Sequence, residues 1–118
     1  MVGEIQPETL RERFDDGDAP AVIDIRDRGA FDHAHLPGSR NVPLPEIPRQ
    51  IDDFADADHV VTVCPHGKAS LKAARIVEAY EGFDGTVESL AGGLEAWDGP
   101  IDRESDIEGD GERPDAPF

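Results

Sequence analysis

The sequence is poor in cysteine, lysine and long hydrophobic runs, and these shortages exclude whole classes of protein. Its single cysteine, Cys64, rules out an intrachain disulfide and makes a reducing cytoplasm the expected compartment. No apolar stretch approaches the length of a membrane span, and residues 1–7 lack the basic and apolar regions of a signal peptide. We therefore predict a cytoplasmic protein without a membrane partner.

Basic residues are also scarce: 11 Lys and Arg stand against 27 Asp and Glu, for a net charge of −16. Such a surface repels nucleic acid and anionic membranes, so neither is an expected partner. Acids in excess over only two lysines, Lys68 and Lys72, favour a protein of a salt-accumulating microbe, because salt screens the self-repulsion that opposes folding. We interpret the source as a halophilic archaeon; an ordinary acidic cytosolic protein is the alternative.

The single cysteine opens a loop between a predicted strand and a predicted helix. Val60–Val63 is a β-branched run, typical of a strand buried on both faces. From Ser70, a suitable N-cap, apolar residues recur at helical spacing up to Tyr80, and Gly82 is expected at the C′ position. Open α/β sheets bind ligands at the carboxyl ends of their strands, and a helix N-terminus there stabilises a thiolate. Cys64 is therefore the candidate nucleophile.

The segment around this cysteine differs in charge from the rest of the chain. Residues 59–77 contain no Asp or Glu. After the strand, His66, Lys68, Lys72 and Arg75 add positive or potentially positive charge to this segment. A buried strand excludes charge of either sign, but the loop and first helical turn are not buried strand. We interpret the segment as an anion-attracting mouth.

The remaining chain alternates between strand and helix patterns. Further strands are predicted at 3–5, 21–25 and 86–90, with a brief extended segment at 40–42. Helices are predicted at 6–14, 27–33 and 49–54, the last after a stretch interrupted by three prolines, and a short helix carries Trp97. This alternation implies right-handed crossovers and a mainly parallel sheet with helices on both sides.

The composition changes near the C-terminus. Residues 102–118 are acidic, contain Gly and Pro, and show no hydrophobic periodicity. We therefore predict one ordered domain at 1–101, followed by a disordered acidic tail at 102–118.

Four stretches in this order resemble the rhodanese-like sulfurtransferase domain, over roughly residues 3–98. They are Val22–Arg26, Phe31 with Ala34–Ser39, Cys64 with Gly67, and Ala91–Gly93 with Trp97. The resemblance implies a rhodanese-like α/β fold for residues 1–101, with a five-stranded, mainly parallel sheet and helices on both faces. It also implies a cysteine that takes a sulfane sulfur from a donor such as thiosulfate. That sulfur would pass to a thiophilic acceptor such as cyanide or a protein or small thiol.

The residues of the loop after Cys64 are suited to stabilising a thiolate and a persulfide. The thiolate is the nucleophile, and a persulfide on Cys64 would carry negative charge on its outer sulfur. The predicted substrate-binding residues are Pro65, His66, Gly67, Lys68, Ala69 and Ser70. Their backbone N–H groups, apart from that of proline, would form an anion-binding nest reinforced by the helix dipole. Gly67 permits the tight turn, Lys68 attracts an anionic donor, and His66 is a candidate to assist.

The loop also departs from the family pattern. Many members carry arginine where this chain has Pro65 and Ala69, so Lys68 alone supplies permanent charge within the loop. A protein-bound persulfide or a polysulfide is therefore an alternative donor to thiosulfate.

Other polar residues have more ordinary interpretations. We interpret Asp24 and Arg26 as structural support at the end of the second strand. His33 and His35 are two residues apart but lack the further ligands of a metal site, so no metal and no cofactor are predicted. Gly92–Gly93 does not form a dinucleotide-binding fingerprint.

Two rival functions follow from the same residues. A cysteine phosphatase or arsenate reductase needs an arginine six positions after its cysteine, and here that position is Ser70. The second rival is a sulfur-carrier or partner-docking module with little free thiosulfate activity. Its acidic surface would suit a basic protein partner.

Overall fold

The computed structural model describes residues 2–103, so the predicted tail lies almost entirely outside the described residues. The strands are β1 (Gly3–Ile5), β2 (Ala21–Asp24), β3 (Arg40–Asn41), β4 (His59–Val63) and β5 (Thr86–Leu90). The helices are α1 (Pro7–Asp15), α2 (Arg28–His33), α3 (Ile47–Gln50) and α4 (Ala69–Ala79). Single 3₁₀ turns lie at Leu44–Glu46, Ile51–Asp53 and Leu94–Ala96.

The strands form one five-stranded sheet in the order β1-β5-β4-β2-β3, and all its pairings are parallel. This confirms the predicted sheet. β4 lies at the centre, and its residues alternate between two apolar layers. Val60 faces the layer that holds α3 and α4, whereas Val61 and Val63 face the layer of α1. Helices therefore cover both faces, and Trp97 lies in the second layer.

Three local predictions need correction. The proline-rich stretch is helical, because Pro45 and Pro48 stand at the second position of a short helix, where no intrahelical N–H bond is lost. α4 begins at Ala69 with Lys68 as its N-cap, so Ser70 is the second helical residue and not the cap. The helix ends at Tyr80, whose extended backbone leaves the helix without a left-handed glycine at C′.

None of the helices within residues 2–103 has the length and apolar content needed to cross a bilayer.

A buried ion pair braces the carboxyl end of β2. The Asp24 carboxylate accepts hydrogen bonds from Arg26 Nε at 2.9 Å and from Arg26 Nη2 at 2.7 Å. Asp24 is only 1% exposed. The same guanidinium donates to the Ala34 carbonyl, and Asn41 Nδ2 donates to the carbonyls of Asp24 and Arg26. Arg26 thus ties β2 to the end of α2, and Asn41 ties it to β3. That this pair serves as structural support stays a prediction.

Replacing Asp24 by Ala should leave the Arg26 guanidinium without its carboxylate in a largely buried place. We expect the free energy of unfolding to fall by about 3–5 kcal/mol, as when one partner of a buried pair is removed. The control Asp53→Ala breaks the exposed Arg40–Asp53 pair, which is 2.8 Å long, and should cost less than about 1 kcal/mol. Urea unfolding measures both variants, and equal losses would contradict the brace.

Candidate functional site

Cys64 directly follows the central strand β4, at the carboxyl edge of the parallel sheet. The loop after it leads into α4, which packs against β4 and β5. β-branched residues with 0% exposure hold the strand between the two apolar layers, so the position of the sulfur is set by packing on both sides. The thiol is only 2% exposed.

Hydrogen bonds converge on the Cys64 sulfur from the loop and the first turn of α4. The Gly67 N–H donates to Sγ at 3.0 Å and the Ser70 N–H donates at 3.3 Å. The Ser70 hydroxyl is hydrogen-bonded to Sγ at 3.2 Å. The sulfur therefore lies in a cradle of two backbone amides and one hydroxyl, although its surroundings are otherwise apolar.

This cradle governs the ionisation of the thiol. Burial raises the pKa of Cys64, because water is withdrawn from the charged form. The hydrogen bond from the Ser70 side chain and those from the backbone of Ser70, Gly67 and His66 act in the opposite direction. Together they hold the pKa of Cys64 below its ordinary value, so the site favours the thiolate.

A second loop, residues 91–96 after β5, includes the 3₁₀ turn Leu94–Ala96 and is hydrogen-bonded to the cysteine loop. The Leu94 N–H donates to the Cys64 carbonyl at 2.8 Å, and the Glu95 N–H donates to the Pro65 carbonyl at 3.0 Å. Because these carbonyls are bound on the outer side of the loop, the amides that follow are free to turn toward the sulfur. The second loop is thus part of the site.

Glycine at position 93 makes this contact possible. Gly93 has φ +65°, and a Cβ there would lie 2.4 Å from the Cys64 carbonyl oxygen and 2.6 Å from the Gly67 nitrogen. Gly67 itself has φ +90°, and a Cβ there would lie 2.9 Å from the Gly92 nitrogen. The two loops therefore meet backbone to backbone, with no room for a side chain at the contact.

The six loop residues predicted to bind substrate fall into two groups. Gly67 and Ser70 are buried and contact the sulfur. The others, Pro65, His66, Lys68 and Ala69, are exposed around the loop. Gly67 and Ser70 thus form the inner cradle, and we call the four exposed residues the rim of the site.

The rim is less uniformly positive than the sequence predicts. Glu95, in the 3₁₀ turn of the second loop, places its carboxylate 3.3 Å from His66 Nδ1. Both side chains are largely exposed. Lys68 forms no ion pair with any residue in the range 2–103, so it supplies the uncompensated positive charge within the loop.

The two histidines considered for a metal site lie in different surroundings. His35 is buried, its Nδ1 is 2.7 Å from the Phe31 carbonyl, and its ring stacks on Phe31 at 3.9 Å. His33 is exposed. Within residues 2–103, no group of three or more His, Cys, Asp or Glu could hold a metal ion.

Two residues of the site, Ser89 and Glu95, are not predicted by the sequence pattern. Ser89 in β5 is fully buried, with its hydroxyl 2.6 Å from the Ser70 hydroxyl. A serine at an apolar position of a buried strand is the signal that could have found it. Glu95 was missed because its approach to His66 depends on the fold of the second loop, which is distant in sequence.

Replacing Gly93 by Ala should displace the cysteine loop, because the new methyl group would overlap its backbone. We expect the Cys64 thiol to lose its amide bonds and iodoacetamide to alkylate it at least tenfold more slowly at neutral pH, since one hydrogen bond to a charged group is worth about 1.5–3 kcal/mol. Gly17→Ala is the matched control, because Gly17 has φ +73° but open space around it. Equal alkylation rates in the two variants would contradict this role.

Comparisons with known proteins agree with the fold. A model of the rhodanese-like domain matches residues 6–99. Thiosulfate sulfurtransferase GlpE of Pseudomonas aeruginosa is 38% identical over 97 residues, which cover 79% of this chain and 81% of that protein. The putative sulfur carrier protein YrkF of Bacillus subtilis is 26% identical over 98 residues, or 83% of this chain, but the match spans only about half (52%) of YrkF.

The solved structures lead to the same family fold. The crystal structure of a rhodanese-like domain protein from Staphylococcus aureus superposes with a TM-score of 0.74 at 22% identity. That match covers 82% of this chain and 92% of the other. With the family model spanning most of its length, this chain belongs to the rhodanese-like domain family.

Proposed function

We propose that the protein is a sulfurtransferase that carries a sulfane sulfur on Cys64 as a persulfide. The observation that supports this most directly is the convergence of the Gly67 amide, the Ser70 amide and the Ser70 hydroxyl on Cys64 Sγ. These hydrogen bonds favour the thiolate, which is the form of cysteine that attacks sulfur. The GlpE relatives, which are named thiosulfate sulfurtransferases, support the same reaction class.

The reaction consists of two displacements at sulfur. In the first, the Cys64 thiolate attacks the outer sulfur of thiosulfate; a new S–S bond forms, the S–S bond of thiosulfate breaks, and sulfite leaves with the electron pair. In the second, cyanide or an acceptor thiolate attacks the outer sulfur of the persulfide, and the Cys64 thiolate leaves. Each step transfers one sulfur atom, so no external oxidant or reductant is needed.

The cradle serves both displacements because Cys64 is nucleophile in the first and leaving group in the second. Donors held at 3.0–3.3 Å before either step need no reorganisation when charge appears on the sulfur. The persulfide places its negative charge one bond farther out, toward the exposed part of the loop. There Lys68 attracts the anionic donor and stabilises the departing sulfite, with His66 as a candidate to assist.

The identity of the donor depends on the rim. Pro65 and Ala69 carry no charge, so a dianion such as thiosulfate meets one permanent cation in the loop, Lys68, and the nearby carboxylate of Glu95 opposes it. A protein-bound persulfide or a polysulfide is therefore an alternative donor. The acceptor is a thiophilic group such as cyanide or a protein or small thiol.

A sulfur-carrier or partner-docking module with little free thiosulfate activity is the second candidate. The rim favours it, because Lys68 is the one permanent cation in the loop and the Glu95 carboxylate nearby weakens its attraction for free thiosulfate. The name of YrkF, a putative sulfur carrier protein, points in the same direction. Persulfide formation that is slow with thiosulfate but fast with a protein persulfide would select this candidate.

A phosphatase is disfavoured by the residue six positions after the cysteine. Phosphate transfer of that type needs a guanidinium that binds two oxyanion oxygens. Here Ser70 occupies the position, and its hydroxyl is hydrogen-bonded to the sulfur itself.

The variant Cys64→Ser should abolish sulfur transfer and leave the fold intact, because serine replaces the sulfur nucleophile with little change in volume. Intact-protein mass spectrometry after incubation with thiosulfate should add one sulfur atom to the natural protein and none to the variant. Treatment with cyanide should remove that sulfur. Turnover retained in Cys64→Ser would contradict the mechanism, provided that urea unfolding gives both proteins the same midpoint.

The variant Lys68→Ala should raise KM for thiosulfate more than it lowers kcat, because a side chain on the rim binds the donor and the transition state about equally. We expect about a three- to tenfold increase in KM, corresponding to roughly 1 kcal/mol for an exposed charge. The control Arg28→Ala changes the net charge equally at an exposed position on α2. An unchanged KM in Lys68→Ala, or an equal increase in both variants, would remove Lys68 from the site.

A further inference from the structure

Ser89 is a polar residue in an apolar layer. It lies in β5, two residues after Val87, which belongs to the layer between the sheet and α4. It is paired in register with Thr62 of β4, and both residues are 0% exposed. A hydroxyl in such a place needs a hydrogen-bond partner, and the partner it has identifies its role.

The partner of Ser89 is the residue that contacts the nucleophile. Ser89 Oγ lies 2.6 Å from Ser70 Oγ, and Ser70 Oγ lies 3.2 Å from Cys64 Sγ. The three side chains are 0–2% exposed, so they form a short chain closed to water. Among the residues that the structure describes, no charged side chain is hydrogen-bonded to either serine.

The hydrogen bonds that link Cys64, Ser70 and Ser89 must reverse their donor and acceptor roles when the sulfur ionises. While Cys64 is a thiol, its S–H can donate to Ser70 Oγ and the Ser70 hydroxyl can donate to Ser89 Oγ. A thiolate has no hydrogen to give, so the Ser70 hydroxyl must donate to Sγ. The lone pair of Ser70 Oγ then accepts from the Ser89 hydroxyl, the only one of the three partners with a hydrogen left to give.

We propose that Ser89 is a positioning residue for sulfur transfer: its hydroxyl, donating to Ser70 Oγ over 2.6 Å, holds the Ser70 hydroxyl as a donor to the Cys64 thiolate. Ser89 does not touch the sulfur and acts only through Ser70. A hydrogen bond received by a hydroxyl polarises it and strengthens the one it donates, by about 10–30%. Ser89 thereby favours the thiolate form of Cys64, in the same direction as the amides of the cradle.

This role has opposite consequences for the two displacements of the proposed reaction, on which this step rests. A thiol of lower pKa is a better leaving group but a weaker nucleophile once it is ionised. At a pH where Cys64 is fully ionised, Ser89 should therefore speed the discharge of the persulfide without speeding its formation. A residue that merely filled space in the core would not separate the two steps in this way.

The first experiment measures the pH dependence of Cys64 alkylation by iodoacetamide in the full-length protein. In Ser89→Ala the profile should move to higher pH, with alkylation about two- to threefold slower on its acid side. Thr62→Val is the matched control, because it removes a buried hydroxyl from the paired strand that bonds the Ser70 carbonyl and not its hydroxyl. The control should lose stability but keep the natural profile. An unshifted profile in Ser89→Ala, or an equal shift in the control, would overturn the proposal.

The second experiment tests whether Ser89 acts through Ser70. In a Ser70→Ala background, Ser89→Ala should cause no further shift of the alkylation profile, because the connecting hydroxyl is gone. Additive shifts in the double variant would overturn the proposal. Alkylation does not require sulfur transfer, so this result stands apart from the proposed function.

The third experiment follows each half-reaction in a single turnover at a pH above the thiol pKa. Discharge of the Ser89→Ala persulfide to cyanide should be about two- to threefold slower, while loading from thiosulfate is no slower. Equal slowing of both steps would contradict a positioning role. If no persulfide forms in the natural protein while the alkylation profile still shifts in Ser89→Ala, the proposed function fails. The effect of Ser89 on the ionisation of Cys64 through Ser70 then still holds.

Discussion

A charged sulfur at a site that is 2% exposed has lost most of its hydration, and hydrogen bonds from the protein must replace it. This requirement accounts for much of the local structure. The Gly67 and Ser70 amides and the Ser70 hydroxyl are all hydrogen-bonded to the Cys64 sulfur. Because they outweigh the effect of burial, the pKa of Cys64 falls although the residue belongs to an apolar cluster.

The parallel sheet brings the parts of this arrangement together. β4 ends at the cysteine, α4 begins with the residues that bond the sulfur, and β5 supplies both Ser89 and the second loop. That loop binds the carbonyls of Cys64 and Pro65 through the amides of Leu94 and Glu95. The cysteine loop is therefore held by residues that follow two adjacent strands, β4 and β5. A substitution in β5 can affect the Cys64 thiol without contacting it.

Local patterns predicted the parts of the molecule that depend on local chemistry. The β-branched run before Cys64 and the strand at 86–90 are present, and so is the parallel sheet. Its five strands were implied by the resemblance to the rhodanese-like domain and not by local patterns. Contacts that depend on the folded loop could not be predicted. Serine is a common N-cap residue, but the Ser70 hydroxyl is hydrogen-bonded to the sulfur of Cys64, six residues earlier. Glu95 reaches His66 only because the second loop folds behind the first. The domain boundary at 101, the tail and the halophilic source stay predictions.

Because of the contact between Gly93 and the cysteine loop, the reactivity of the thiol and the choice of sulfur donor depend on different parts of the site. Main-chain atoms hold the sulfur, and at the two glycines where the loops meet no side chain can be introduced without moving that main chain. The exposed residues 65, 66, 68 and 69 are under no such steric restriction. Through substitutions at these four positions, descendants of this protein could change the donor they accept while keeping the reactivity of the thiol.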